Sequence, residues 1–106
     1  QINNSFSGQS YLPLSVGMLQ AYAQKNLKQP DAYEFLLPVF SRMPVKEAVQ
    51  KLTGVNVAFF SIYVWNFRIS VEIAMNLKLQ APDTIVVLVD PKYQIGSKIS
   101  WRSILL

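Results

Sequence analysis

Apolar positions along the chain alternate between helical and strand spacing. Leu12, Val16, Leu19 and Ala23 fall at helical intervals and predict a helix from Leu12 to about Gln24, with Pro13 in the first turn where proline is tolerated. Asn26 to Asp31, with Pro30, is the loop that ends it, and Tyr33 to Val39 reads as a short strand whose Pro38 must lie at an end or on an edge. Val45, Ala48, Val49 and Leu52 trace the clearest helix, with Pro44 before it and Gly54 as its C-terminal stop. Val55 to Ser61 is apolar in both alternating sets, as a centrally buried strand would be. Asn66 can cap a helix from Phe67 to Leu79 along which Ile69, Ile73 and Leu77 form a stripe beside Ala74. Ala81-Pro82-Asp83 ends that helix, and Thr84 to Val89 predicts a second buried strand.

Helix and strand in alternation with short connections imply an α/β domain: a parallel sheet with helices on both faces. Ile2 would end a first strand whose beginning lies outside this chain, so a truncated domain is the economical description. From Pro91 to Leu106 the rhythm fails. The tail has room to fold back as an edge strand through Ile99 and Trp101, or to stay mobile. An edge left open after Val89 would suit self-association by strand pairing.

Composition changes this picture mainly by exclusion. The 106 residues contain no cysteine and no histidine, which removes disulfides, Cys/His zinc sites, iron–sulfur clusters, thiol nucleophiles and any Ser-His-Asp relay. The acidic residues (Asp31, Glu34, Glu47, Glu72, Asp83, Asp90) are too far apart in sequence to suggest an acid/base dyad, so neither catalytic nor metal-ligating residues are expected. The net charge of +4 comes from ten basic residues with no adjacent pair, a scatter that reads as solvated surface charge rather than nucleic-acid binding. No apolar run approaches the ~20 residues of a membrane span. Gln1-Ile2-Asn3-Asn4 lacks the charged start of a signal peptide, and a chain without cysteine is compatible with the cytoplasm.

In open parallel sheets ligands bind outside the carboxyl ends of the strands. That rule selects Asn3 to Tyr11, Ser61 to Asn66, and Asp90 to Tyr93. The first two combine amides, hydroxyls and large aromatics, which suits a bulky ligand with a flat apolar face and a hydrogen-bonding rim. Each feature also has a plainer explanation. Tyr63 and Trp65 can pack under a neighbouring loop, Asn66 can be only a cap, and Ser5, Ser7 and Gly8 can merely turn the chain. Asp90 can be a turn-former, and Met18, Met43 and Met75 can fill the core. No GxGxxG or GxxxxGK[ST] spacing is present to cradle phosphate.

The runs Tyr11-Leu12-Pro13-Leu14-Ser15-Val16-Gly17-Met18-Leu19, Phe60-Ser61-Ile62-Tyr63-Val64-Trp65-Asn66 and Thr84-Ile85-Val86-Val87-Leu88-Val89 together resemble the N-terminal cobalamin (B12)-binding domain of B12-dependent radical SAM enzymes. The resemblance covers residues 1–91 and leaves 92–106 as a divergent tail. It implies a flavodoxin-like (Rossmann-like) sheet carrying a corrinoid across its carboxyl edge. It also implies a separate radical SAM catalytic domain, methyltransferase-like, in the parent protein. Carried over position by position, it implies cofactor contacts at Asn4, Ser5, Leu12 and Pro13, at Ser61, Tyr63, Val64, Trp65 and Asn66, and at Asp90 and Pro91. Val89-Asp90-Pro91-Lys92 replaces the family's Gly-Gly-Pro-His, and cobalt would have no protein imidazole ligand. The chain would not be catalytic alone. The alternative is an α/β interaction or assembly domain that has lost the cofactor; a free-standing flavodoxin-type enzyme is the third reading, against which stands the missing phosphate loop.

Overall fold

The computed structural model describes the backbone of residues 1–92 and 100–105 and the side chains of 1–9 and 11–89. Within it lie strands β1 (Ser5–Phe6) and β2 (Gln9–Ser10), helix α1 (Leu14–Asn26), a 3-10 turn (Pro30–Ala32), helix α2 (Val45–Leu52), strand β3 (Val57–Ser61), helix α3 (Phe67–Gln80) and strands β4 (Ile85–Lys92) and β5 (Ser100–Leu105). The fold is α/β and of flavodoxin-like kind, a parallel strand pair with helices. β3 and β4 run parallel in the register Val57↔Ile85 through Ser61↔Val89, joined by α3 as a parallel pair requires.

The stripes read from the sequence meet in one core. Ala48 and Val49 of α2, Ile73, Ala74 and Leu77 of α3, Ala58 and Phe60 of β3, and Val86 of β4 are all buried together with Ile2 and Ile62. α2 packs against α3, while α1 lies against β3 and has no buried residue. Gly54 ends α2 with φ +91°, a conformation that costs a residue without Cβ little. Thr84 ties the foot of β4 to Val55 through its hydroxyl, which donates 2.9 Å to the Val55 carbonyl.

Five expectations are corrected. Tyr33 to Val39 forms no regular strand. Among the described residues its ladder-like bonds run from the Gln1 amino group to the Val39 carbonyl at 3.3 Å and from the Asn3 N–H to the Phe40 carbonyl at 2.8 Å. Pro38 has no N–H to offer to a ladder. β3 is buried on one face only, since Val57 and Phe59 remain exposed, the latter at 59%. α1, the helix that lies against β3, contributes no buried residue to cover them.

Polar residues 5–10, read as loop, form a hairpin instead. Ser7 and Gly8 at its tip have φ 50° and 76°, the positive pair that a two-residue type I′ turn demands. Next, β4 does not stop at Val89 but continues through Lys92, because β5 pairs with it antiparallel, from Val87↔Leu105 to Lys92↔Ser100. The edge that was to be open is therefore occupied, which removes the ground for self-association there; Ile99 and residues 93–98 lie outside the described residues. Finally, only Met43 packs against the core, for Met18 and Met75 are exposed.

Candidate functional site

Three chain segments meet beside the carboxyl end of β3: Gln1–Asn3, which leads into the hairpin, Phe40 before α2, and the loop from Ser61 to α3. The loop after Ser61 is built around one amide. Asn66 is completely buried. Its Nδ2 donates to the Ile2 carbonyl at 2.9 Å and to the Ser61 carbonyl at 3.1 Å, and its Oδ1 accepts the Tyr63 N–H at 2.7 Å. Asn66 occupies the N-cap position of α3, and its own carbonyl accepts the Ser70 N–H, but its side chain makes no capping bond. The amide is spent inside the protein, on joining the N-terminal segment to β3 and on folding the loop between.

With the loop so folded, the ring of Tyr63 stacks on that of Trp65, centroids 4.4 Å apart and planes 8° from parallel. The Tyr63 hydroxyl meets the Ser15 hydroxyl in the first turn of α1, which fixes the inner ring of the pair. Trp65 stays 49% exposed and Val64 96% exposed. The stacked pair and Val64 thus leave apolar surface open to solvent on this loop.

The first loop is anchored at its root. Asn3, buried, donates through Nδ2 to the Tyr11 carbonyl at 3.0 Å and the Leu12 carbonyl at 3.1 Å, closing the base of the hairpin. Gln1 accepts the Ser15 N–H at 3.2 Å through Oε1 and donates to Asn3 Oδ1 at 2.9 Å, so α1 starts from the same cluster. Arg42 bridges the two loops: Nε donates to Asn4 Oδ1 at 2.9 Å and Nη2 to the Trp65 carbonyl at 2.8 Å. Arg42, Trp65 and Val64 line an open depression of about 520 Å³ floored by Met43, Val45 and Ile69 and flanked by Arg68 and Glu72.

The structure thus brings Asn4, Tyr63, Val64 and Trp65 to one edge. Leu12 and Pro13 stand beside them at the start of α1, where Leu12 is exposed and Pro13 half-buried. Ser5 is exposed in the hairpin, paired with Ser10. Asn66 and Ser61 lie beneath the surface. Asp90 and Pro91 belong to β4 rather than to a loop, and their side chains lie outside the described residues. As β4 pairs with the end of β3 at Val89, residues 90–92 carry the strand about 10 Å beyond it at about 3.3 Å per residue.

Arg42 and Ser15 are the residues that sequence reasoning missed, and Asn3 was placed only as the start of the first loop. A signal for Arg42 existed: applied to the segment ending at Val39, the strand-end rule also selects the connection that contains it. Ser15 gave none, since a helix-start serine looks like any other.

Ser61 carries the one buried side-chain polar atom among the described residues without a hydrogen-bond partner, its Oγ, at the carboxyl end of β3. A buried hydroxyl left unpaired costs about 1–3 kcal/mol. Ser61→Ala is accordingly expected to leave the urea unfolding midpoint unchanged or to raise stability by up to about 1 kcal/mol. A loss larger than that would mean the hydroxyl has a partner in solution.

Among the described residues no three His, Cys, Asp or Glu side chains gather to hold a metal ion, and no helix is long and apolar enough to cross a membrane. Among the described residues of this edge, no nucleophile stands beside a base.

No family model matches the chain. It is similar to TokK of Streptomyces tokunonensis, a cobalamin-dependent radical SAM methyltransferase, at 37% identity over 81 residues, 76% of this chain and 12% of TokK. It is similar too to the 2-(S-pantetheinyl)-carbapenam-3-carboxylate methyltransferase of Streptantibioticus cattleyicolor, at 36% identity over 81 residues, again 76% of this chain and 12% of the relative. Three-quarters of this chain is therefore related in sequence to part of methyltransferases of which it spans 12% of the length, one of them a cobalamin-dependent radical SAM enzyme.

Proposed function

We propose that this chain is a corrinoid-binding module of, or derived from, a B12-dependent radical SAM enzyme, without catalytic activity of its own. The observation that carries the reading is the stacked Tyr63–Trp65 pair, locked from below by Asn66 and Ser15 and half-exposed at the carboxyl edge of the sheet. The likeness to a methyltransferase named as cobalamin-dependent supports it. The residues fit such a cofactor in kind. Trp65 and Val64 supply apolar surface for a macrocycle, the exposed Asn4 supplies an amide for its polar periphery, and cobalt would go without an imidazole, the chain having no histidine.

A bound corrinoid would supply methyl-group chemistry. The residues of this chain would only hold and shield it, and the SAM-binding catalytic domain would be the module's partner in the parent protein. Titrating the protein with hydroxocobalamin or methylcobalamin should give a saturable change in the visible spectrum, and a spectrum that stays the sum of its parts refutes the proposal.

The second reading is an assembly domain. Val57 and Phe59 of β3 with Ile85 of β4 form an exposed apolar strip, and Leu14, Met18 and Tyr22 an exposed stripe at four-residue spacing on α1. Light scattering that stays at the monomer mass across concentration speaks against this alternative.

A further inference from the structure

We infer that Arg42 is a positioning residue that sets the two ligand-facing loops in register, an inference that rests on the corrinoid-binding reading above. Its guanidinium reaches two acceptors from opposite sides of the site, Asn4 Oδ1 at 2.9 Å and the Trp65 carbonyl at 2.8 Å, which lie 38 and 23 residues away in sequence. Asn66 and Asn3 each organise one loop from beneath; Arg42 joins the outer ends of both. The peptide it grips is that of the half-exposed Trp65, so the bond holds the platform's backbone where the ring meets solvent.

A planar fork can serve two acceptors at once. A lysine ammonium on a flexible stem serves as a point charge and cannot reproduce both directions. The strut is built before any ligand arrives, so it reduces the ordering that binding would otherwise require. Arg42 precedes Pro44, the N-cap of α2, and so stands outside that helix, with its side chain lining the depression.

The experiment compares Arg42→Ala, Arg42→Lys and Asn4→Ala with the unsubstituted chain, all carrying Trp101→Phe so that Trp65 is the single indole. Two quantities are read: affinity for hydroxocobalamin, and acrylamide quenching of Trp65 fluorescence in the ligand-free protein. Circular dichroism checks folding, and the exposed Asn4 supplies a variant that leaves the core untouched. Both Arg42 variants are expected to bind about five- to tenfold more weakly and to quench more readily, with Asn4→Ala giving part of each effect.

Full affinity in Arg42→Lys would overturn the inference, since charge alone would then suffice. Unchanged quenching in Arg42→Ala would overturn it as well. If the unsubstituted chain fails to bind hydroxocobalamin, the corrinoid reading falls, and the quenching comparison still decides whether Arg42 holds Trp65.

Discussion

Asn66→Ala is expected to destabilise the protein by about 3 kcal/mol, a large part of the 5–15 kcal/mol that holds a small domain together. The substitution removes one buried side chain but strands three backbone groups: the Tyr63 N–H and the carbonyls of Ile2 and Ser61. Each lost bond is modest because the unfolded chain exchanges it for water, whereas each buried group left unpaired bears most of its desolvation cost. Asn66→Asp should be at least as damaging. It keeps an acceptor for Tyr63 but sets an oxygen against two carbonyl oxygens in a fully buried position. Urea unfolding followed by far-UV circular dichroism measures both variants, and a loss under about 1 kcal/mol for Asn66→Ala would mean that the bracket is not formed in solution.

Trp65→Ala should weaken hydroxocobalamin binding about ten- to thirtyfold while shifting the unfolding midpoint little. A half-exposed ring contributes modestly to folding, but a ligand laid on it buries the remaining face, and aromatic contacts of that size are worth about 1.5–2 kcal/mol. Lys51→Ala is the comparison. That residue lies in the last turn of α2, exposed, at the end of the helix away from the depression, and its removal should change affinity less than twofold. Isothermal titration of the two variants side by side decides; equal effects would place the ligand elsewhere.

What could be read before the structure was known follows from the range of the interactions involved. The stripes of α2 and α3 and the apolar runs of β3 and β4 announce themselves locally, because Val49, Ile73, Leu77, Ala58 and Val86 are buried for reasons that lie within their own turn or strand. The aromatic loop was legible too, since Tyr63 and Trp65 stand directly after a strand end. Features that depend on distant partners were not legible. Val57 and Phe59 looked buried because composition does not say whether a helix arrives to cover them. Residues 33–39 looked like a strand because an apolar run does not reveal whether another segment pairs with it. β4 runs past Pro91 only because β5 returns to pair with it.

The same distinction holds in the site. Asn66 was legible as a cap by position, yet its side chain turns to Ile2, 64 residues away in sequence. Arg42 acts only through two contacts that the fold creates. The polar residues that organise this edge do so across the chain, and the residues that present surface to a ligand do so beside their own strand.

Gel filtration of the purified chain after incubation with hydroxocobalamin, at high micromolar protein, decides whether this edge binds a corrinoid. The red colour is expected to elute with the protein, and Trp65→Ala, still folded, to release it; colour that leaves the protein entirely and elutes with free cofactor would refute corrinoid binding.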